Sequence, residues 1–294
     1  MDGLKSYHYQ NFMIFITFFL FWISIQFGEV VEDFLAYILV ISIGIIHGAN
    51  DLLILSTKDK KNKTFIKNLI IYISIIFFCL LIYFISSFLA IVFFVLLSSY
   101  HFGEEHLGAK IKVNSIFNSI YFLAYGLFIF SLLFYQSLSD VDKIMIELTG
   151  TSFSKIQVEI TLIITAILLF LGTLYVIVIK KNDWMIFFKE FFYLVLLFLV
   201  FSTSSLILGF AIYFIFWHSI PSIIHQIEFI SGDLNKRNIF FYIKKALVYW
   251  IISIAGLLVL YQIVPRIDLF ATVVFVILFA VTAPHTWVMH KMKN

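Results

Sequence analysis

Apolar residues fall in long runs separated by short polar segments, with neither the strict alternation of strands nor the one-sided pattern of a soluble helix. A run of about 20 apolar residues matches the ~30 Å hydrocarbon core of a bilayer. Inside that core a helix satisfies its own backbone hydrogen bonds. The runs predict ten helices, over 12–27, 34–56, 66–85, 87–102, 115–136, 156–179, 184–202, 205–230, 239–262 and 268–290. Residues 65–102 are nearly unbroken and too long for one span, so a turn is predicted at Ser86-Ser87. Another is predicted at Ser202-Thr203-Ser204-Ser205. The expected fold is all-α, a polytopic transmembrane bundle of eight to ten helices forming one integral membrane domain over 1–294. The first run, Phe12 to Phe27, is followed by no small-residue cleavage motif, which predicts a retained helix.

The polar segments alternate in charge. Gly28 to Asp33 carries Glu29, Glu32 and Asp33, and residues 137–155 carry Asp140, Asp142 and Glu147. Between and after them come Lys58, Lys60, Lys61 and Lys63, then Lys110 and Lys112 beside Glu104 and Glu105. Lys180-Lys181, Lys236-Arg237 with Lys244-Lys245, and finally Lys291 and Lys293 complete the basic series. Basic loops collect on the cytoplasmic side. With ten spans every basic loop falls on one side, which predicts both termini in the cytoplasm and a multi-pass protein of the cell membrane.

Composition agrees: 62% of residues are hydrophobic and 13% charged, half the charge a soluble surface carries. The basic residues report orientation, not nucleic-acid binding. The one cysteine, Cys79, rules out an internal disulfide.

Eight histidines are the main chemical signal. His8 lies in the polar N-terminal segment and reads as a surface residue, whereas His47, His101, His218, His225 and His285 lie within predicted spans. An ionisable group in a bilayer is costly and marks function by default. At 1.5 Å per residue, His47, His101 and His218 each fall about 20 Å below the outer start of their helix, with His285 roughly 5 Å deeper. Imidazole is a good ligand for iron, zinc and copper. Neutral when bound, it suits a low-dielectric site better than a carboxylate. The competing reading is that each ring merely hydrogen-bonds a neighbouring helix. Asp51 lies four residues after His47, one turn on, positioned to orient a ligand. Glu104 and Glu105 follow His101, and Pro221 and Pro284 sit beside histidines within predicted spans.

His47-Gly48-Ala49-Asn50-Asp51, Ser99-Tyr100-His101-Phe102-Gly103, Trp217-His218-Ser219 and Pro284-His285 resemble, in order, the motifs of the Brp/Blh family of membrane β-carotene 15,15'-dioxygenases. The resemblance implies non-haem iron, Fe(2+), held by histidines, and O2-dependent cleavage of the central double bond of β-carotene into two all-trans-retinals. It also implies retinal available for a rhodopsin to take up. By motif match His47, His101 and His218 take the ligand roles. The family often places another histidine four residues after the Trp-His-Ser histidine, and here that position is Ser222; Ile46 likewise stands where a proline is common. The fourth ligand is then His285 or His225. The second would need a distorted helix, since an i, i+7 pair is about 10.5 Å apart along a straight one. Asp51, Glu104 and Glu105 are expected to support the ligands.

Three other readings compete. A di-iron desaturase would resemble HxxxH and HxxHH clusters, yet His101 and His106 are five apart and His218 and His225 seven. A haem protein would pair axial histidines. A transporter with a His/Asp proton relay would show broken helices repeated in matching halves, and Pro221 and Pro284 are not so related.

Overall fold

The computed structural model describes residues 3–58, 62–111, 113–179, 184–263 and 267–293; the side chains of 3–8, 62, 186 and 267–275 are not described. The expectations about His8 and about the lysines at 60, 61, 112, 180 and 181 therefore lie outside the described residues. The elements are all helical: α1 (Gly3–Gln26), α2 (Glu29–Leu39), a π turn (Val40–Gly44), α3 (Ile45–Gly48), α4 (Asp51–Lys58), α5 (Asn62–Ile85), α6 (Ser87–Leu107) and α7 (Ser115–Gln136). There follow α8 (Leu138–Thr149), α9 (Lys155–Ile179), α10 (Trp184–Thr203), α11 (Leu206–Ile212), a second π turn (Tyr213–Ser219), α12 (Ile220–Ser231), α13 (Lys236–Ile263) and α14 (Ile267–Lys293).

Eight segments among the described residues are long and apolar enough to cross a membrane: 9–26, 29–58, 63–85, 87–107, 115–136, 155–179, 206–231 and 236–263. Helices α10 and α14 occupy the places of the other two expected spans. Both predicted serine turns are present, at Ser86 and at Ser204-Ser205.

Three expected loops are helical instead. Glu29 opens α2, so the acidic segment 28–33 is mostly its first turn, where carboxylates face the positive end of the helix dipole. Helix α6 runs on to Leu107 rather than ending at Phe102; its charged residues are good helix formers and outweigh their polarity. Residues 138–149 form α8, with Val141 and Met145 buried four residues apart, an amphipathic stripe of the kind that folds onto a core.

The chain divides into two compact units. The first comprises residues 1–40, 99–141 and 153–219, and the second 41–98, 142–152 and 220–294. In the first, α7 packs along α9, α11 along α2, and α1 along α10. Between helices in lipid the driving force is close packing, favoured by small residues. A Cβ at Gly103 would overlap the Phe122 carbonyl, and one at Gly126 would overlap that of Ser99, so α6 and α7 touch backbone to backbone. In the second unit α14 packs on α5 and α4. One buried cluster joins Ile54, Leu55, Val288 and Met289. Another joins Cys79, Ala90, Phe279 and Ala283.

Candidate metal centre

In the second unit His47 follows the Val40–Gly44 π turn. Such bulges recur at functional sites because they re-aim the residues beyond them. The widened turn also releases a carbonyl: that of Ile41 accepts from the Trp250 indole at 2.7 Å. After Gly48 the helix breaks at Ala49-Asn50 and restarts at Asp51. The break gives the last carbonyls of α3 outside partners. Gln226 donates to the His47 carbonyl (3.2 Å) and to Ser222 (3.3 Å), and accepts from Tyr242 (2.7 Å). Asn50 donates to the Tyr242 carbonyl at 3.2 Å. Asn50, Ser222, Gln226 and Tyr242 are all buried. This network holds the His47 backbone.

The imidazole of His47 meets that of His285 from α14, with the two Nε2 atoms 3.0 Å apart and the rings at 72°. Behind His285, Nδ1 lies 2.8 Å from Asp51 Oδ1, and Tyr72 donates to Asp51 Oδ2 at 3.2 Å. A carboxylate on Nδ1 keeps the proton there and turns the Nε2 lone pair outward. That is the second layer expected behind a metal-bound imidazole. His47, His285 and Asp51 are all buried.

In the first unit His101 on α6 and His218 in the Tyr213–Ser219 π turn pair with ring centroids 4.7 Å apart at 79°. Both are buried. Their surroundings are aromatic. Phe102 lies 4.3 Å from His218 and stacks on Phe130 at 5.5 Å. Phe214 stacks on His218 at 5.8 Å. Here too the π turn has a carbonyl taken by a side chain, Phe216 accepting from the Tyr9 hydroxyl. The neighbouring Trp217 donates to Thr17 at 3.2 Å. Pro221 follows the π turn in the first turn of α12. Because the helical segment is continuous over 206–231, its missing N–H leaves a carbonyl of the π turn without a helical donor.

The sequence-predicted residues thus form two pairs, His47 with His285 and His101 with His218. His225 is half-buried on α12. Asp51 bonds the imidazole of His285 rather than that of His47, four residues before it. Glu104 accepts from Tyr100 at 3.2 Å, and Glu105 is buried. Sequence reasoning passed over Tyr72, Gln226 and Tyr242, and also a cluster in the first unit. In that cluster His106 Nε2 lies 2.6 Å from Glu190, and Lys110 Nζ lies 2.7 Å from the other oxygen of the same carboxylate. The i, i+4 spacing of Ser222 and Gln226, and of His106 and Lys110, was the available signal.

No curated protein and no solved structure matches the chain. The family described as beta-carotene 15,15'-dioxygenase matches residues 38–293, a stretch that contains all four paired histidines and Asp51. The chain therefore belongs to the β-carotene 15,15'-dioxygenase family.

Proposed function

We propose that the protein cleaves the central 15,15' double bond of β-carotene with O2, giving two all-trans-retinals. On this reading Fe(2+) is held by His47, His101 and His218, the roles that membership of the family implies, with His285 as the fourth ligand in place of the histidine that Ser222 replaces. The two units would act as one domain of the cytoplasmic membrane with both termini inside, and a rhodopsin would be one acceptor for the retinal.

The observation that carries the proposal is the His47–His285 pair with Asp51 behind it. Two imidazole nitrogens bound at about 2.1 Å to one ion, a right angle apart, are separated by about 3.0 Å, the separation found between the two Nε2 atoms. Neutral nitrogen donors with a carboxylate one shell out suit a divalent iron and spare the site a buried ligand charge. When bound, the iron supplies the activation of O2.

The chain's own residues supply position and a dry wall. Asp51 fixes the tautomer of His285, and Gln226 fixes the backbone of His47. Phe102, Phe130 and Phe214 give His101 and His218 an apolar surround that excludes water. Apolar and aromatic walls contact a polyene well without asking it for hydrogen bonds. The bond cleaved is the one the walls hold in place, a positioning effect.

The test is expression in cells that accumulate β-carotene, with retinal and bound iron measured for the wild type and for His47→Ala, His101→Ala, His218→Ala and His285→Ala. The wild type should bleach the cells and contain iron, and each variant should lose both. Full retinal yield from a variant removes that residue from the site. Retinal made by iron-free protein overturns the mechanism.

A further inference from the structure

In the first unit α9 and α10 both pack on α7, and between them lies a cavity of about 300 Å³ that the end of α6 closes off. Its wall is mostly apolar, with Phe128, Ala166 and Leu194 at one end and Ile111, Ile177 and Phe187 at the other. Eleven residues of α9 separate Ala166 from Ile177, about 16 Å of helix. One leaflet supplies half of the ~30 Å hydrocarbon core, so the slot is about one leaflet deep. Phe170 and Phe191 border it along its length and are 56% and 57% exposed. One long side therefore opens onto the surface that hydrocarbon covers.

The two ends differ in polarity. Glu190 and Lys110 line the second end as an ion pair, with Nζ 2.7 Å from the carboxylate and side chains 17% and 29% exposed. His106 lies 2.6 Å from the other carboxylate oxygen. This is also where the helices stop. Lys110 is three residues beyond α6, Ile177 two before the end of α9, and Phe187 three into α10. The ion pair thus sits near the headgroup level, and the slot runs from there toward the middle of the bilayer.

Water finds no partners along such a wall, and wall atoms facing a void lose their dispersion contacts. The occupant must be apolar for one leaflet's depth, supple enough to enter from the side, and polar where the slot meets the helix ends. A carotene is stiff, longer than the slot and without a polar end. The leaflet itself supplies a molecule that meets all three conditions. Basic side chains between helices at this level are contacts for lipid headgroups.

We propose that the slot binds one phospholipid of the adjoining leaflet, with an acyl chain between α9 and α10 and the phosphate at Lys110 Nζ. The lipid completes the packing that these two helices leave open. This placement needs only that the bundle spans a membrane, and it is independent of the chemistry at the histidines.

The experiment places the full-length protein in phospholipid nanodiscs doped with a phospholipid carrying a diazirine, either beside the glycerol or at the end of one acyl chain. After photolysis, mass spectrometry maps the crosslinks. The chain-end probe should label the Phe128, Ala166 and Leu194 end, and the glycerol probe the Ile111 and Phe187 end. Both should label the slot above the exposed faces of α5 and α13. Ala166→Phe and Leu194→Trp, which fill the slot from opposite walls, should each abolish the slot labelling and leave that of α5 and α13 unchanged. Lys110→Met should lower slot labelling at limiting probe about tenfold, the size of one charge-assisted hydrogen bond. Slot labelling no denser than on α5 and α13, which is bulk lipid only, overturns the proposal. So does labelling indifferent to Lys110→Met, or labelling removed by an equal amount of oleic acid or β-carotene, which would make the slot a fatty-acid or carotenoid groove.

Discussion

The two units fix their imidazoles by opposite means. In the second unit the His47–His285 pair hangs on hydrogen bonds: Tyr72 to Asp51, Asp51 to His285, and Gln226 to the His47 carbonyl. In the first, the rings of His101 and His218 are wedged among Phe102, Phe130 and Phe214. Hydrogen bonds set which nitrogen carries the proton as well as where the ring points. Aromatic packing sets the direction and leaves the tautomer to the ligand.

The largest break in this contrast comes from the backbone. Gly103→Ala should prevent the first unit from packing, because the added methyl meets the Phe122 carbonyl. No monodisperse protein should survive detergent extraction, as size-exclusion chromatography would show. Asp51→Asn should come next, lowering iron affinity about 10- to 100-fold while the fold persists, as measured by iron titration of chelator-stripped protein. Phe102→Leu sharpens the contrast from the other side. It should cost about 1 kcal/mol of stability and change iron affinity far less than Asp51→Asn, which thermal unfolding and the same titration would separate. The smallest effect belongs to Tyr72→Phe, which removes one hydrogen bond to Asp51. It should weaken iron binding by a few-fold. If Tyr72→Phe matched Asp51→Asn, the carboxylate would owe its role to the tyrosine, and the hierarchy proposed for the second unit would be wrong.

The bundle was legible because a bilayer demands apolar runs of a set length. Even the turns at Ser86 and Ser204-Ser205 showed as small polar interruptions. The four histidines were legible for the same reason: polarity inside such a run is conspicuous. The π turns were not, since one inserted residue leaves the apolar pattern untouched while re-aiming everything after it. Nor were partners distant in sequence. Glu190 is 84 residues from His106 and Gln226 is 179 from His47, separations on which helical periodicity is silent. Helix α8 was misread as a loop because its acidic residues masked the Val141–Met145 stripe.

The contact of Gly103 with Phe122 and of Gly126 with Ser99 has a mechanical consequence. Two helices locked main chain to main chain slide and splay far less than helices spaced by side chains. The wall bearing His101 is thus a stiff spar. Any rearrangement of the first unit must begin in some other pair of its helices.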